Sequence, residues 1–370
     1  MADNVGATTS VQQATPKIEL LLEEVVKRRA SDLHLQVGLP PTLRIDGSLT
    51  PVHGAPKLGE RMVEELVFSL LEEDQKQILL RDKEFDFSFA FGDLGRFRVN
   101  AFHERGNLAA AMRLIPNQIR TIEQLGMPSI LNKFTEYPRG LVLVTGPTGS
   151  GKSTTLAALV NKINEERAAH IITVEDPIEY THTSKKSVIV QREVHYDTYS
   201  FSTALRSVLR EDPDVVLIGE MRDLETIAAA ITIAETGHLV FATLHTQDAA
   251  QSIDRIIDVF PSHQQSQIRT QLAATLHGIC TQQLLPTTDG AGRVAAAEVL
   301  VATHAIRSLI RDGKVHQMYS MLQSGGSYGM VTMNAALAAL VNSGQVDVEA
   351  AAQRATNVAD FQSLVGGSSE

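Results

Sequence analysis

The sequence predicts an α/β protein in which a parallel-sheet domain built around a phosphate-binding loop follows a small α+β domain and precedes short C-terminal helices. Three observations carry this expectation. Gly146-Pro147-Thr148-Gly149-Ser150-Gly151-Lys152-Ser153 is a complete phosphate-binding loop, set between the β-branched apolar run 141–145 and a helical stretch opening with Thr154. From 141 to about 300, apolar strands at 141–145, 170–174, 215–219 and 239–243 alternate with helical segments, the pattern of a doubly wound parallel sheet. Upstream, Phe85, Phe87 and Phe89 alternate with polar or small residues, and Phe97, Val99 and Ala101 alternate back after a Gly92-Asp93-Leu94-Gly95 turn, which marks an antiparallel meander.

The elements follow in order. Residues 1–15, rich in Thr, Gln and Ala, lack a basic stretch followed by an apolar one, so they read as a disordered lead-in and not a signal peptide. The first folded domain is expected over 16–115. Ile18, Leu21, Leu22, Val25 and Val26 share one face of a helix over 17–29. Short strands follow at 32–37 and 42–45, the second closed by an Asp46-Gly47 turn; 60–81 reads as one helix, and the meander ends in a strand over 108–115. Residues 116–128 read as a hinge linker, 129–302 as the loop-bearing domain, and 303–370 as a helical region with helices at 304–311 and 333–341 and a Gly-Gly-Ser-Ser tail. The single cysteine, Cys280, cannot form an internal disulfide; it sits in an apolar stretch read as helical, where it is a plain core residue.

The chain has 370 residues and a formal net charge of −10, which argues against a surface that is wholly a nucleic-acid footprint. No aromatic-basic stripe is visible either. No window approaches eighteen consecutive apolar residues, so no direct membrane insertion is expected and the protein reads as cytoplasmic.

The loop states its chemistry. Glycines let successive N–H groups turn inward at a helix N-terminus, Lys152 reaches the terminal phosphates of a nucleoside triphosphate, and the Ser153 hydroxyl can ligate Mg²⁺. The strand at 171–174 ends in Glu175-Asp176-Pro177-Ile178-Glu179-Tyr180, and Val215-Val216-Leu217-Ile218-Gly219-Glu220 has the form of a Walker B strand ending in Glu. Acids at such strand ends lie beside the phosphates, where they orient or deprotonate water or hold Mg²⁺ through water. Sequence alone does not divide those tasks between Glu175 and Glu220. His245 follows a strand on the same rim and is placed to sense the γ-phosphate, whereas His238 precedes that strand. Arg96, Arg98 and Arg105, on or near one strand face of the first domain, are candidates to neutralise phosphate charge in a neighbouring subunit, with Arg98 and Arg105 foremost; Arg206 and Arg210, in the helix expected before the Walker B strand, are similar candidates. A base-reading Asn-Lys-x-Asp segment is missing, since Asn161-Lys162-Ile163-Asn164 ends in the wrong residue, which disfavours a GTPase.

Taken together, Ser31-Asp32-Leu33-His34-Leu35, Gly38-Leu39-Pro40-Pro41, the loop at 146–153, Glu175-Asp176-Pro177-Ile178-Glu179, Gly219-Glu220-Met221-Arg222-Asp223 and the His238/His245 segment resemble the secretion-type hexameric ATPases, whose labels for these motifs are Walker A, Asp box, Walker B and His box. Within that group the chain is most similar to the type IV pilus retraction ATPases, the PilT family. Ala305-Ile306-Arg307-Ser308-Leu309-Ile310-Arg311 resembles that family's retraction motif, with Ser308 in place of Asn and Asp312 in place of Glu, and a single cysteine excludes the tetracysteine zinc site of the extension ATPases. The resemblance implies a PAS-like N-terminal domain, a RecA-like motor and a homohexamer. It further implies ATP hydrolysis coupled to pilus disassembly and twitching through an inner-membrane platform protein, with a paralogous retraction ATPase as a further partner. Arg98 and Arg105 match the family's arginine-bearing N-domain strand. The alternative is an ATP-binding scaffold that regulates another ATPase; the joint presence of Lys152, Ser153, Glu175, Glu220 and His245 counts against it.

Overall fold

The computed structural model describes residues 16–366 apart from 46, 93, 116–117 and 291. The expected lead-in over 1–15, Asp46 and Asp93 of the two turns, Pro116 and the last residues of the tail lie outside the described residues. The chain divides between residues 117 and 118 into two compact units.

The first unit comprises α1 (Ile18–Lys27), β1 (Asp32–Leu35), β2 (Thr42–Ile45), β3 (Ser48–Pro51), α2 (Glu60–Phe68), α3 (Glu73–Asp82), β4 (Glu84–Phe91), β5 (Gly95–Glu104) and β6 (Asn107–Ile115). Its strands form one antiparallel sheet in the order β3-β2-β1-β6-β5-β4. The apolar stripe of α1 is buried at Leu21, Leu22 and Val25 against Leu33, Leu35, Val99 and Met112. Phe85, Phe87, Phe89 and Phe97 stack in succession across β4 and β5, with centroids 5.6–6.3 Å apart. Two expectations change. β3 was not foreseen, and the single helix over 60–81 is two, because Glu72 starts a new N-terminus where its backbone N–H donates to Gln75 Oε1 at 3.0 Å.

The second unit holds α4 (Ile130–Phe134), β7 (Gly140–Thr145), α5 (Lys152–Glu166), β8 (His170–Glu175), β9 (Val188–Glu193), α6 (Phe201–Val208), β10 (Val215–Ile218), α7 (Leu224–Glu235), β11 (Leu239–Leu244), α8 (Ala249–Asp258), α9 (Ser262–Thr275), β12 (Leu276–Pro286) and β13 (Arg293–Val301). Then come α10 (His304–Arg311), α11 (Met318–Ser324), α12 (Met333–Asn342), α13 (Val348–Ala352) and α14 (Val358–Gly366). The seven-stranded sheet runs β13-β12-β7-β11-β10-β8-β9, parallel throughout except for β13. Both faces are covered: Leu141, Leu143, Ile172, Val216 and Ile218 enter one core, while Val142, Val144, Ile171, Val215 and Leu217 enter the other. That two-sided burial is why these strands read as unbroken apolar runs. Ile122 and Met127 of the expected hinge segment are buried in the second of these cores.

The four expected parallel strands are present, but β9, β12 and β13 were not foreseen. Cys280 lies in β12, not in a helix. Leu276 passes from helix to strand with φ −63 and ψ 130, using no Gly or Pro that would signal the change. Burial pushes the Cys280 thiol up to about 12, so it is an inert core residue as expected. Ile306 and Ile310 of α10 are fully buried and Leu309 packs partly beside them, so these three residues form a packing face.

Candidate active site

The C-terminal ends of β7, β11, β10 and β8 form one rim of the second unit's sheet, and the phosphate-binding loop, Glu175, Glu220 and His245 lie there. β7 delivers the phosphate-binding loop. Gly146 has φ +137, and a Cβ built on it would stand 2.3 Å from the Gln282 carbonyl oxygen and 2.7 Å from Ser150 Oγ, so only glycine fits. Gly151, at φ +89, caps α5, and Lys152 is the first helical residue. The buried Lys152 Nζ donates to the carbonyls of Gly146 at 2.9 Å and Pro147 at 3.1 Å. Burial lowers its pKa, while Glu220 and Glu179 oppose that shift. The neighbouring strand β12 fastens the loop: Gln282 Nε2 donates to the Ser150 carbonyl at 2.7 Å, and the Thr145 and Thr281 hydroxyls pair at 2.8 Å.

Gly149 and Thr148 sit at the exposed tip of the loop. Ser153 is partly exposed on the first turn of α5, and Thr154 shares a 2.8 Å hydrogen bond with the Tyr180 hydroxyl, which ties the helix start to the acidic loop after β8.

Glu220 follows β10 by two residues. Its Oε1 meets Arg222 Nε at 2.6 Å and His245 Nε2 at 3.0 Å. Burial alone would raise its pKa, but these two partners outweigh it and hold the carboxyl below its usual value. His245 Nδ1 lies 3.4 Å from Thr148 Oγ1, so one imidazole spans the phosphate loop and the Walker B acid. The Glu220 carboxylate is thus ionised and aimed, and the histidine connects it to the place where a phosphate would sit.

Glu175 behaves differently. Burial pushes its carboxyl up to about 7, although hydrogen bonds from Thr173 at 2.6 Å and Gln191 at 3.1 Å oppose that, and the nearby Glu179 reinforces it. One acid of the rim is held charged and the other sits near neutrality.

The remaining candidates separate from this rim. His238 lies at the opposite end of β11, where its Nδ1 is 3.0 Å from the Ile233 carbonyl and closes the end of α7. Arg206 is exposed and paired with Glu225 at 2.7 Å, and Arg210 lies beyond the end of α6 rather than within it. Arg98 and Arg105 belong to the first unit: Arg98 is exposed on β5, and Arg105 sits in the β5–β6 turn at φ +52, 3.2 Å from Glu104. No cluster of three or more His, Cys, Asp or Glu side chains suited to a metal occurs among the described residues. The hydroxyl of Ser153 and the ionised Glu220 are oxygen donors that suit Mg²⁺ accompanying phosphate oxygens.

Sequence reasoning assigned no role to Arg222, Gln191 or Gln282. Gln191 and Gln282 lie on the strands that were not foreseen. Arg222, two residues from Glu220, was legible as a partner through its spacing alone.

The family model described as "Type II/IV secretion system protein" matches residues 8–353. The chain is 50% identical over 335 residues to the type IV pilus retraction ATPase PilT of Pseudomonas aeruginosa, covering 90% of this chain and 97% of that protein. It is 51% identical over 317 residues to the twitching motility protein of Neisseria gonorrhoeae, covering 86% of this chain and 84% of that protein. The crystal structure of the pilus retraction motor PilT with bound ADP superposes with a TM-score of 0.88 at 45% identity, covering 94% of this chain and 99% of that one. This supports the reading of a RecA-like motor domain. The chain belongs to the type II/IV secretion system protein family, in its branch of PilT-type ATPases.

Proposed function

We propose that this chain is a motor ATPase for type IV pilus retraction, working as a homohexamer on an inner-membrane platform protein at the cytoplasmic face, with a paralogous ATPase as a further partner. One observation carries the chemical part: Lys152, His245 and Glu220 converge on one sheet rim, with His245 reaching both Thr148 of the loop and Glu220. Lys152 and the loop N–H groups bind the phosphates, Glu220 and Glu175 orient and deprotonate water, and His245 reports the γ-phosphate to the acid. Bound Mg²⁺ would neutralise phosphate charge, held by the Ser153 hydroxyl and, through water, by Glu220. Arg98 and Arg105 serve the nucleotide of the adjacent subunit. The 50% identity to a named retraction ATPase over nearly the whole of both chains supports retraction over extension.

Two measurements test this reading. Purified protein should release phosphate from ATP, and Lys152→Ala or Glu220→Ala should abolish release while leaving the ring assembled. In cells lacking the gene, complementation with Glu220→Ala should leave hyperpiliated, immobile cells. Sparse pili in those cells would overturn retraction, and binding without turnover would favour the scaffold.

A further inference from the structure

We propose that Gln191 is a positioning residue for hydrolysis: its side-chain amide, together with Thr173, clamps one oxygen of Glu175 and so fixes the direction in which the carboxylate meets water. The proposal rests on the reading of Glu175 as one of the two acids of the site.

The geometry is specific. Thr173 Oγ1 at 2.6 Å and Gln191 Nε2 at 3.1 Å both donate to the same atom, Glu175 Oε1. Glu175 Oε2 takes neither bond. Thr173 and Glu175 are two residues apart on β8, so their side chains share one face of the sheet, and Gln191 lies opposite Thr173 in the β8–β9 register. Three side chains are therefore set by the strand pairing itself.

The orientation of the Gln191 amide is also determined. Its Oε1 accepts the backbone N–H of His182 at 2.8 Å, and its Nε2 donates to the Tyr180 carbonyl at 2.8 Å as well as to Glu175. A flipped amide would set N–H against N–H and oxygen against oxygen at two of these contacts. Gln191 must therefore present a donor to the carboxylate. It also holds the loop carrying Tyr180, whose hydroxyl meets Thr154 on the first turn of α5.

A donor on the carboxylate favours its charged form. The other titratable groups around Glu175 are Glu179 in its own loop, which disfavours ionisation; Glu193, opposite it on β9 and accepting the Ile178 N–H at 3.1 Å; and Asp176 beside it. β10 ends against it at Gly219, where an added Cβ would lie 3.2 Å from Glu175 Cα, with Glu220 next in sequence and engaged by Arg222 and His245. Burial and the Glu179 carboxylate work against ionisation of Glu175, while Thr173, Gln191 and the Glu179 backbone N–H donate to it and keep it usable as a base near neutral pH.

The test is the pH dependence of kcat between pH 5.5 and 9.5 for the full-length hexamer. Glu175→Gln comes first: wild-type turnover in that variant would overturn the role of Glu175, and this proposal with it. With Glu175→Gln inactive, Gln191→Leu should move the acid limb up by about one pH unit, giving about a fivefold loss at pH 7 that is largely recovered at pH 9. KM for ATP should stay within about twofold, since the phosphate contacts are untouched. Thr173→Val should shift the limb in the same direction. A Gln191→Leu profile that overlays the wild type, or a loss equal at every pH, would overturn the proposal while sparing Glu175. If Gln191→Leu fails to fold, the isosteric Gln191→Glu decides. It keeps an acceptor for the His182 N–H and replaces the donor with a like charge, so an unshifted acid limb there would be equally fatal.

Discussion

Substituting Gly146 by alanine tests whether the phosphate-binding loop is held by close packing or only by its own backbone preferences. At φ +137 an alanine is strained by about 1–3 kcal/mol. Its Cβ would also stand 2.3 Å from a backbone carbonyl, that of Gln282, in a strand hydrogen-bonded on both sides. Such an atom cannot swing aside, and forced overpacking adds about 1–3 kcal/mol. Gly149 provides the control within the same loop. Its φ is +76, yet an added Cβ would meet nothing within 4 Å, so Gly149→Ala should cost only the left-handed strain of about 1 kcal/mol. For a domain of this size each kcal/mol moves Tm by about 2–4 °C, so Gly146→Ala should lower it by at least about 4 °C and Gly149→Ala by about 2–4 °C. Differential scanning calorimetry without nucleotide reads the two directly, and ADP titration then shows whether the distorted loop still binds. A Gly146→Ala transition within 2 °C of wild type, or a Gly149→Ala loss as large, would refute the packing argument.

Other perturbations address different parts of the molecule. Burial pushes Glu298 up to about 7, above the ordinary 4.5, even though the backbone N–H groups of Ala249 at 3.1 Å and Met333 at 3.3 Å donate to it. Because the folded value is the higher one, its favourable contribution is complete at low pH and is lost as pH rises from about 4.5 to about 7. The stability of wild type relative to Glu298→Gln should therefore fall across that window and level off above it, as urea titrations at several pH values would show; a difference independent of pH would contradict this. Arg307 donates to the carbonyls of Ala302, Ala273 and Ala274 at 2.7–2.9 Å and closes the end of α9, so Arg307→Ala should cost about 2–3 kcal/mol. Turnover per folded molecule should survive, and unchanged thermal stability with lost turnover would assign this motif residue to chemistry instead. If Arg98 serves a neighbouring nucleotide, inactive Arg98→Ala and Lys152→Ala subunits mixed in one ring should regain partial ATPase activity, because some interfaces then combine an intact arginine with an intact loop. No recovery on mixing would place the arginine's role elsewhere, and the same experiment with Arg105→Ala decides between the two.

How much was legible follows from what each residue answers to. The phosphate loop, Glu175, Glu220 and His245 were found because they punctuate strands buried on both faces, and such strands write themselves as apolar runs ended by a polar residue. β9 writes no such run: Val188 and Val190 are exposed on the sheet's edge, and the polar residues around them read as loop. Gln191 was hidden for that reason, since its meaning comes from standing opposite Thr173 across a pairing that no local pattern announces. β12 was missed for the opposite reason. It continues directly from α9 with both faces buried, so Cys280 and its neighbours fit a helix as well as a strand until the partners on β7 and β13 are known. Gln282 shared its fate, although it holds the loop that the sequence made most obvious. The groups that carry charge at the site were thus readable from their own strands, whereas the neutral amides that aim them depend on contacts between strands far apart in sequence. Electrostatic preorganisation draws on both kinds of residue, so the part of the mechanism hidden from one-dimensional reading is the part that sets geometry and pH response.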